Sequence, residues 1–442
     1  AGAYDFARYD NAAAGVTVSL TTPATNTGEA AGDTYISIED VIGSAYADTI
    51  TGDAGDNLLY GKAGNDTLNG GTGNDHLFGG AGADVLNGGN GFDLARYDEA
   101  TAGVTVSLIA PGSNTGEAAG DSYISIESLV GSAFGDTLTG NDVANDFWGN
   151  AGNDTINGLG GDDWLHAQSG TDTVNGGAGN DNYYFDRGDG LDTFYDDYRA
   201  SSQVWVTSGY YEAGGGEGSG MVWVDTSHYE TQTVQQNGGS DVIRLGAGIT
   251  ASDLAMTMSG NDLVIGIRDP ATPNATFAQL TDKITMKDWS NTLNRIETLV
   301  FSDGSTFNMT IGTLAAETVT GTTSADLVFG LDGADILNGG GGDDVIDGGA
   351  GSDTLTGGAG VDRFVYSAAG FGLDTIQDFW AGAGATDQLE FKTSVFANWQ
   401  AVLNASTQVG ADTVITLNAS DKITLKNVTL SSMNADDARF VA

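Results

Sequence analysis

A nine-residue repeat constrains this chain more than any other feature of its sequence. Four copies follow one another directly: GKAGNDTLN from Gly61, GGTGNDHLF from Gly70, GGAGADVLN from Gly79 and GGNGFDLAR from Gly88. They share the template G-G-x-G-x-D-x-U-x, in which U is a large apolar residue. The glycines permit the positive φ angles of a tight turn, and x-U-x predicts a three-residue strand whose middle side chain points inward. The repeat therefore predicts a β-solenoid in which turns and strands alternate.

The repeat recurs in three blocks that keep one register, and a longer repeat lies on top of it. The segment DFARYDNAAAGVTVSL at 5–20 returns as DLARYDEATAGVTVSL at 93–108, an offset of 88 residues. Only ASDLAM (251–256) and the stretch 394–404 have a helical pattern. The predicted segments are a β adaptor (1–42), block 1 (43–96), a second β adaptor (97–130), block 2 (131–185), an aromatic-rich insertion (186–239), a strand-rich segment (240–311), block 3 (312–365) and a C-terminal cap (366–442).

The Asp residues at the sixth position of the repeat are the candidate metal ligands. Two repeats complete one coil of a parallel roll, so residues eighteen apart, such as Asp66 and Asp84, are expected to stack on one edge. Stacked strands lie about 4.8 Å apart and Ca²⁺–O distances are about 2.3 to 2.6 Å, so an ion between coils reaches oxygens of both. Turn carbonyls add further oxygen donors. The predicted ligands are Asp48, Asp66, Asp75, Asp84, Asp93, Asp136, Asp154, Asp163, Asp172, Asp181, Asp326, Asp335, Asp344, Asp353 and Asp362.

The charge of the chain favours the same interpretation. The 442 residues include 60 acidic and 15 basic side chains, which gives a formal net charge of −45. So many negative charges in a compact body repel one another unless bound cations neutralise them. We expect on the order of a dozen bound cations. Ca²⁺ is favoured over Mg²⁺, because Mg²⁺ demands shorter and stricter octahedral contacts. Nucleic acid and anionic membranes are poor partners for such a chain, and no apolar run is long enough to predict a membrane span.

These residues resemble the RTX (haemolysin-type calcium-binding) repeat family. The sequence between 240 and 307, which includes DLVIGI, DKITMKDW and IETLVFSDGSTF, resembles the haemolysin-type calcium-binding related domain. Residues 362–442 resemble the C-terminal targeting region of type I secretion substrates. The resemblance implies an all-β protein with a parallel β-roll in three blocks, secreted by Gram-negative bacteria through the type I machinery and folded outside the cell by calcium. Departures from the template are Asn57 and Asn145 at position six, Lys62 at position two, and Ala167-Gln168 in place of the Gly pair.

The sequence contains no recognisable catalytic constellation. His76, His166 and His228 do not have the HExxH spacing of a zinc protease, GxSxG does not occur, and the chain has no Cys. We therefore expect no enzyme activity from this chain. The first hypothesis is a calcium-rigidified structural protein, a component of an extracellular surface layer, filament or adhesin, that associates with itself or with cell-surface polysaccharide.

Two alternatives remain open. The chain begins without Met, so we expect it to be processed or part of something longer, and it could serve as the secretion and folding module of an enzyme or toxin whose catalytic domain lies upstream. It could also bind or modify polysaccharide through the insertion, whose sequence predicts a two-stranded ribbon with a glycine-rich tip. The aromatic residues of this predicted ribbon are Trp205, Tyr210, Tyr211, Trp223 and Tyr229.

Overall fold

Parallel strands stacked one coil apart determine the architecture of this protein. The computed structural model describes residues 5–196, 198–206, 209–213, 221–225, 228–236, 239–272, 275–291, 295–384 and 386–441. Between 198 and 236 the description covers the backbone. The regular structure of the described residues consists of short β-strands, a few 3-10 turns and the helix α1 (Trp399–Ala405).

The strands follow the order of the predicted segments. The first adaptor and block 1 contain β1 (Phe6–Arg8), β2 (Thr17–Ser19), β3 (Asp40–Ile42), β4 (Thr49–Thr51), β5 (Leu58–Ala63), β6 (Thr67–Thr72), β7 (His76–Ala81), β8 (Val85–Asn90) and β9 (Leu94–Arg96). The second adaptor and block 2 contain β10 (Thr105–Ser107), β11 (Ser122–Ile124), β12 (Ser128–Val130), β13 (Thr137–Thr139), β14 (Asp146–Trp148), β15 (Thr155–Gly160), β16 (Trp164–His166), β17 (Thr173–Ala178) and β18 (Asn182–Phe185).

The remaining segments continue the series. Residues 186–311 contain β19 (Leu191–Tyr195), β20 (Tyr198–Val206), β21 (Gly209–Ala213), β22 (Met221–Asp225), β23 (His228–Gln236), β24 (Val242–Leu245), β25 (Leu254–Ser259), β26 (Asp262–Ile267), β27 (Asp282–Met286), β28 (Thr298–Phe301) and β29 (Thr306–Ile311). Block 3 and the cap contain β30 (Thr318–Thr320), β31 (Asp326–Phe329), β32 (Ile336–Gly341), β33 (Val345–Asp347), β34 (Thr354–Ala359), β35 (Arg363–Tyr366), β36 (Leu373–Ile376), β37 (Gln388–Lys392), β38 (Ser406–Val409), β39 (Asp412–Thr416), β40 (Lys422–Leu425) and β41 (Ala438–Val441).

One 17-stranded sheet runs along the whole roll. Its strands pair in the order β1, β3, β5, β7, β9, β12, β14, β16, β18, β24, β28, β29, β31, β33, β35, β37, β41, and every pair except β28–β29 is parallel. The opposite face is divided into three sheets, one for each repeat block: β2–β4–β6–β8–β11, β10–β13–β15–β17–β19–β27–β26–β25 and β30–β32–β34–β36–β40–β39–β38. The fold is the expected parallel β-roll.

The eighteen-residue spacing is confirmed by the strand register. Leu59 pairs with Leu77 in the continuous sheet, and Leu68 pairs with Leu86 in the opposite sheet. These residues occupy position eight of the repeat, and their side chains are fully buried between the two faces. The core is therefore a row of apolar side chains one residue deep. Each buried Leu contributes about 1.5 to 3 kcal/mol to the stability of the fold relative to an exposed one.

Two local expectations differ from the structure. Some interior repeats form six-residue strands such as β5, because the pairing continues through positions one to three of the following repeat, whereas β14, β16 and β33 keep the expected three residues. Lys62 lies in this extension at φ 82°, so the backbone keeps its left-handed conformation although the template glycine is missing. ASDLAM forms a 3-10 turn over Ala251–Asp253 and then enters β25 instead of a helix. Of the described residues, no helix has the length and apolarity needed to cross a membrane.

Candidate calcium sites

The sixth-position carboxylates form hydrogen-bonded ladders along both edges of the roll. The amide of Asp48 donates to Asp66 Oδ1 at 2.8 Å, and the amide of Asp66 donates to Asp84 Oδ1 at 2.7 Å. On the other edge the amide of Asp75 donates to Asp93 Oδ1 at 2.8 Å. Each Oδ1 atom thus accepts a hydrogen bond from the preceding coil, which fixes the carboxylate between two coils. The same contacts link Asp136, Asp154 and Asp172, Asp163 and Asp181, Asp335 and Asp353, and Asp326, Asp344 and Asp362.

The second oxygen of most of these carboxylates is buried without a hydrogen-bond partner. Buried polar atoms are normally paired, and an isolated buried charge is strongly unfavourable. A row of such atoms facing the turns therefore fits a cation-binding edge, because Oδ2 remains available to a hard metal ion while Oδ1 is held by the backbone. These unpaired Oδ2 atoms belong to Asp66, Asp75, Asp84, Asp93, Asp154, Asp163, Asp172, Asp181, Asp335, Asp344 and Asp353.

The position-one glycines leave a cradle beside each Oδ2 atom. A Cβ atom on Gly61 would contact Asp66 Oδ2 and lie 2.6 Å from the carbonyl oxygen of Gly79, one coil further on. A Cβ atom on Gly82, at position four, would meet the carbonyl oxygen of Gly64. Carboxylate and carbonyl oxygens therefore converge where the template has glycine. This donor set, composed only of oxygen, suits Ca²⁺.

Burial disfavours the ionised form of these carboxylates when no metal is bound. It raises the pKa of Asp66 to about 6, that of Asp84 to about 7 and that of Asp163 to about 8. The backbone hydrogen bonds to Oδ1 oppose this shift but do not cancel it. A bound cation favours the charged form, so metal binding and deprotonation are coupled at these sites.

The first predicted Asp ligand of each block has a different environment. Ser44 donates its amide to Asp48 Oδ2 at 2.5 Å and its hydroxyl to Asp48 Oδ1 at 2.8 Å, and Val16 donates its amide to the same Oδ1. Ser132 binds Asp136 in the same way. Thr322 donates its amide and hydroxyl to Asp326 Oδ2 at 2.7 and 2.8 Å. A hydroxyl residue at position two therefore supplies protein partners to Asp48, Asp136 and Asp326, whose assignment as calcium ligands stays a prediction.

Asn57 and Asn145 show how position six is satisfied without a carboxylate. The Oδ1 atom of Asn57 accepts the amide of Asp53 at 2.8 Å, and its Nδ2 atom donates to the carbonyl oxygen of Glu39 at 2.7 Å. Asn145 makes the corresponding contacts with Asn141 and with the carbonyl oxygen of Glu127. The amide thus bridges the coils with its own hydrogen bonds, whereas an Asp leaves an acceptor that needs another partner.

The ladders continue through residues outside the nonapeptide template, which the sequence reasoning missed. Asp121 Oδ1 accepts the amide of Asp84 at 2.8 Å, and Asp241 Oδ1 accepts the amide of Asp181 at 2.7 Å. Each of these acids precedes a strand in the order Asp, any residue, large apolar residue. The remaining half of the template was therefore a usable signal. Asp192, Asp374 and Asp387 continue the ladders in the same way.

Comparison with known proteins agrees with this geometry. The profile of the RTX calcium-binding nonapeptide repeat matches residues 37–68, 60–95, 125–156, 148–183, 157–193, 311–346 and 339–368, and that of the haemolysin-type calcium binding protein related domain matches 262–310. The chain carries RTX calcium-binding repeats in all three blocks. This RTX protein is therefore a calcium-binding β-roll protein, and the repeat family implies type I secretion.

Solved structures with partial similarity include two bacterial proteins. The extracellular lipase LipA from Serratia marcescens is 15% identical with a TM-score of 0.28, and the match covers 69% of this chain and 40% of the lipase. The AlgE6R3 subunit of the Azotobacter vinelandii mannuronan C5-epimerase is 24% identical with a TM-score of 0.23, over 29% of this chain and 79% of that subunit. The RTX protein thus spans less than half of the lipase. No curated protein matches it.

Two of the three histidines, His76 and His166, contact aromatic or Arg side chains of the roll. His166 stacks between Trp148 and Tyr184 at ring distances of 4.0 and 3.8 Å, and burial lowers its pKa to about 4. His76 Nδ1 lies 3.1 Å from a guanidinium nitrogen of Arg96. The side chains of His228 and of the aromatic residues predicted for the insertion lie outside the described residues. Their backbone forms the antiparallel pairs β20–β23 and β21–β22.

Proposed function

We propose that this RTX protein is a calcium-folded extracellular structural protein, a component of a surface layer, filament or adhesin exported by type I secretion. The observation that carries the proposal is the row of buried carboxylates with unpaired Oδ2 atoms, which runs through all three blocks. Such a chain is poorly stable without cations and becomes a rigid rod-like roll when they bind. Rigidity along the whole length is the property that a structural component requires.

Self-association is supported by apolar side chains that both long repeats expose at equivalent positions. Ile36 is 86% exposed, and its counterpart Ile124, 88 residues later, is 52% exposed. Tyr46 and Phe134 are related by the same offset and are 50% and 46% exposed. Apolar surface residues that recur at a fixed spacing suit lateral contacts between copies of the chain. Cell-surface polysaccharide is a further proposed partner, for which the insertion is the proposed binding segment.

We also propose that this chain has no catalytic activity of its own. His76 and His166 are engaged in stacking and guanidinium contacts. The buried carboxylates are ordered by backbone amides in rows, an arrangement that suits cation binding better than an isolated acid and base pair. An enzyme activity would then belong to a separate domain of a longer protein, which is the alternative function.

Calcium-dependent assembly tests the proposal. The purified chain is titrated from chelator into millimolar Ca²⁺ while light scattering is recorded, and the end point is examined by electron microscopy. Ordered sheets or filaments that appear with calcium are the expected result. The double variant Ile36→Ser/Ile124→Ser should bind the same amount of calcium and assemble less, whereas Leu314→Ser, an exposed site without a counterpart, should assemble normally. Compact monomers throughout the titration would favour the module of an upstream enzyme or adhesin head.

A further inference from the structure

Three buried carboxylates meet where the insertion leaves the roll. Asp181 precedes β18, Asp196 follows β19, and Asp241 precedes β24. One carboxylate oxygen from each lies within 4.8 Å of the others, and none of the three side chains is more than 1% exposed. The group therefore joins the continuous sheet, which contains β18 and β24, to the opposite sheet, which contains β19.

Two of these carboxylates have an unused oxygen in this buried position. Asp241 Oδ1 accepts the amide of Asp181, and Asp181 Oδ1 accepts the amide of Asp163. The Oδ2 atoms of Asp181 and Asp241 are buried without a hydrogen-bond partner. Because both carboxylates are fixed by backbone amides, these oxygens cannot turn away to solvent. A ligand that accepts several anionic oxygens at once is the chemistry that satisfies them.

We propose that Asp181, Asp196 and Asp241 form a calcium site at the neck of the insertion, a site that the eighteen-residue spacing does not predict. Asp196 lies outside the repeat register, and Asp181 and Asp241 are 60 residues apart. Asp196 and Asp241 stand immediately before and after the insertion strands β20 to β23. An ion held by all three carboxylates therefore clamps both ends of the insertion to the last coil of block 2.

Calcium fits this position better than a smaller ion. Each of the three carboxylates supplies at least one anionic oxygen, and Ca²⁺ takes six to eight oxygen ligands at about 2.3 to 2.6 Å in a flexible geometry. Mg²⁺ would require a stricter octahedron and retained waters, for which a fully buried site offers little room. A proton shared among the carboxylates is the competing occupant, and the experiment below separates the two.

The test is calcium stoichiometry combined with hydrogen exchange on the full chain. Asp196→Asn and Asp241→Asn should each bind one Ca²⁺ per chain fewer than the wild type, and the double variant should also lose only one, because both residues hold the same ion. The control Asp142→Asn removes an exposed acid of block 2 and should lose none. Amide exchange of 198–206 and 228–236 in saturating calcium should become faster in both single variants, while exchange of 58–90 stays unchanged.

Three results would overturn the proposal. The first is an unchanged calcium count in Asp196→Asn, which would leave a proton as the occupant. The second is a loss of two ions in the double variant, which would mean that Asp196 and Asp241 belong to separate sites. If Asp196→Asn fails to fold, as rapid exchange of 58–90 would show, Asp241→Asn decides alone: loss of an ion without faster exchange of 198–206 excludes the clamp. The proposal does not depend on self-association, so either can fail without the other.

Discussion

The amide nitrogen of Asp66 and the Oδ1 atom of Asp84, one coil apart, form a 2.7 Å hydrogen bond that leaves Asp84 Oδ2 buried and unpaired. The backbone thus orders one oxygen of the carboxylate and leaves the other available to a cation, whose binding would offset the cost of burying the charge.

Substitution of Asp84 separates these two roles. Asp84→Asn retains an oxygen acceptor for the Asp66 amide and removes the charge, so we expect it to bind less calcium than the wild type while block 1 remains folded. Asp84→Ala also leaves the Asp66 amide without its acceptor, which lowers the stability by about 1 to 3 kcal/mol more. Asp84→Ala should lose two neighbouring ions and unfold at a lower temperature. Atomic emission and circular dichroism measure both effects, and an unchanged stoichiometry in both variants would refute the assignment.

Low pH should stabilise the calcium-free roll, because protonation removes the charge of the buried carboxylates. Burial raises the pKa of Asp84 to about 7 and that of Asp163 to about 8, whereas in the unfolded chain both are near the ordinary Asp value of about 3.9. Between these limits the folded chain binds more protons, so the stability of the calcium-free roll is greatest below about pH 4 and falls as the pH rises to about 7 to 8. In chelator, the β signal in circular dichroism should be stronger at about pH 5.5 than at about pH 8.

Calcium should abolish this dependence and release protons when it binds near pH 7. A pH indicator in weakly buffered solution measures the release directly. Equal β signal at both pH values in chelator would contradict the proton linkage, whatever the effect of calcium.

The position-one glycines should be intolerant of a methyl group. Gly61→Ala places a Cβ atom against Asp66 Oδ2 and 2.6 Å from the Gly79 carbonyl oxygen, so we expect weaker calcium binding and a lower unfolding temperature in calcium. Gly112→Ala is the matched control, because its Cβ atom would have no neighbour within 4 Å. Similar behaviour of the two variants in a calcium titration would mean that the cradle does not hold the ion.

The position-two serine should stabilise the roll through its own hydrogen bond to the carboxylate rather than through a bound ion. Ser132→Ala removes the 2.8 Å hydroxyl bond to Asp136, and a hydrogen bond to a charged group contributes about 1.5 to 3 kcal/mol. We expect a loss of stability within that range in urea unfolding at fixed calcium. Ser113→Ala removes a hydroxyl exposed at the surface and should change stability little. A lower calcium count in Ser132→Ala would show that Asp136 is a ligand whose geometry the serine supports.

Much of the roll could be predicted because the nonapeptide fixes both its period and its inward residue. The register of Leu59 with Leu77 follows directly from counting two repeats per coil. The six-residue strands could not be predicted, since positions one to three pair only after neighbouring coils have formed. Lys62 adopts a left-handed conformation for the same reason: its neighbours in the stack determine its backbone.

The candidate sites were predictable where the complete template was present and were missed where half of it had been lost. Asp192 and Asp241 keep the Asp, the apolar residue and the position-four glycine (Gly190 and Gly239), but they lack the position-one glycine of the template. Asp192 stands 20 instead of 18 residues after Asp172, and Asp241 joins the ladder only because β24 pairs with β18 across the insertion. The hydrogen bonds from the position-two serines to Asp48 and Asp136 could not be predicted either, because Ser is common in turns and the sequence does not show where its hydroxyl points.

The direct pairing of β18 with β24 gives the roll a natural port. Tyr183 lies beside Ile243 in the same ladder, so the hydrogen-bonded stack passes across this junction without using the chain between 197 and 239. The pairing of the roll therefore does not restrict the length of the insertion. A different segment inserted at this point would leave the strand pairing intact, so the insertion could be replaced during evolution without a change in the coils on either side.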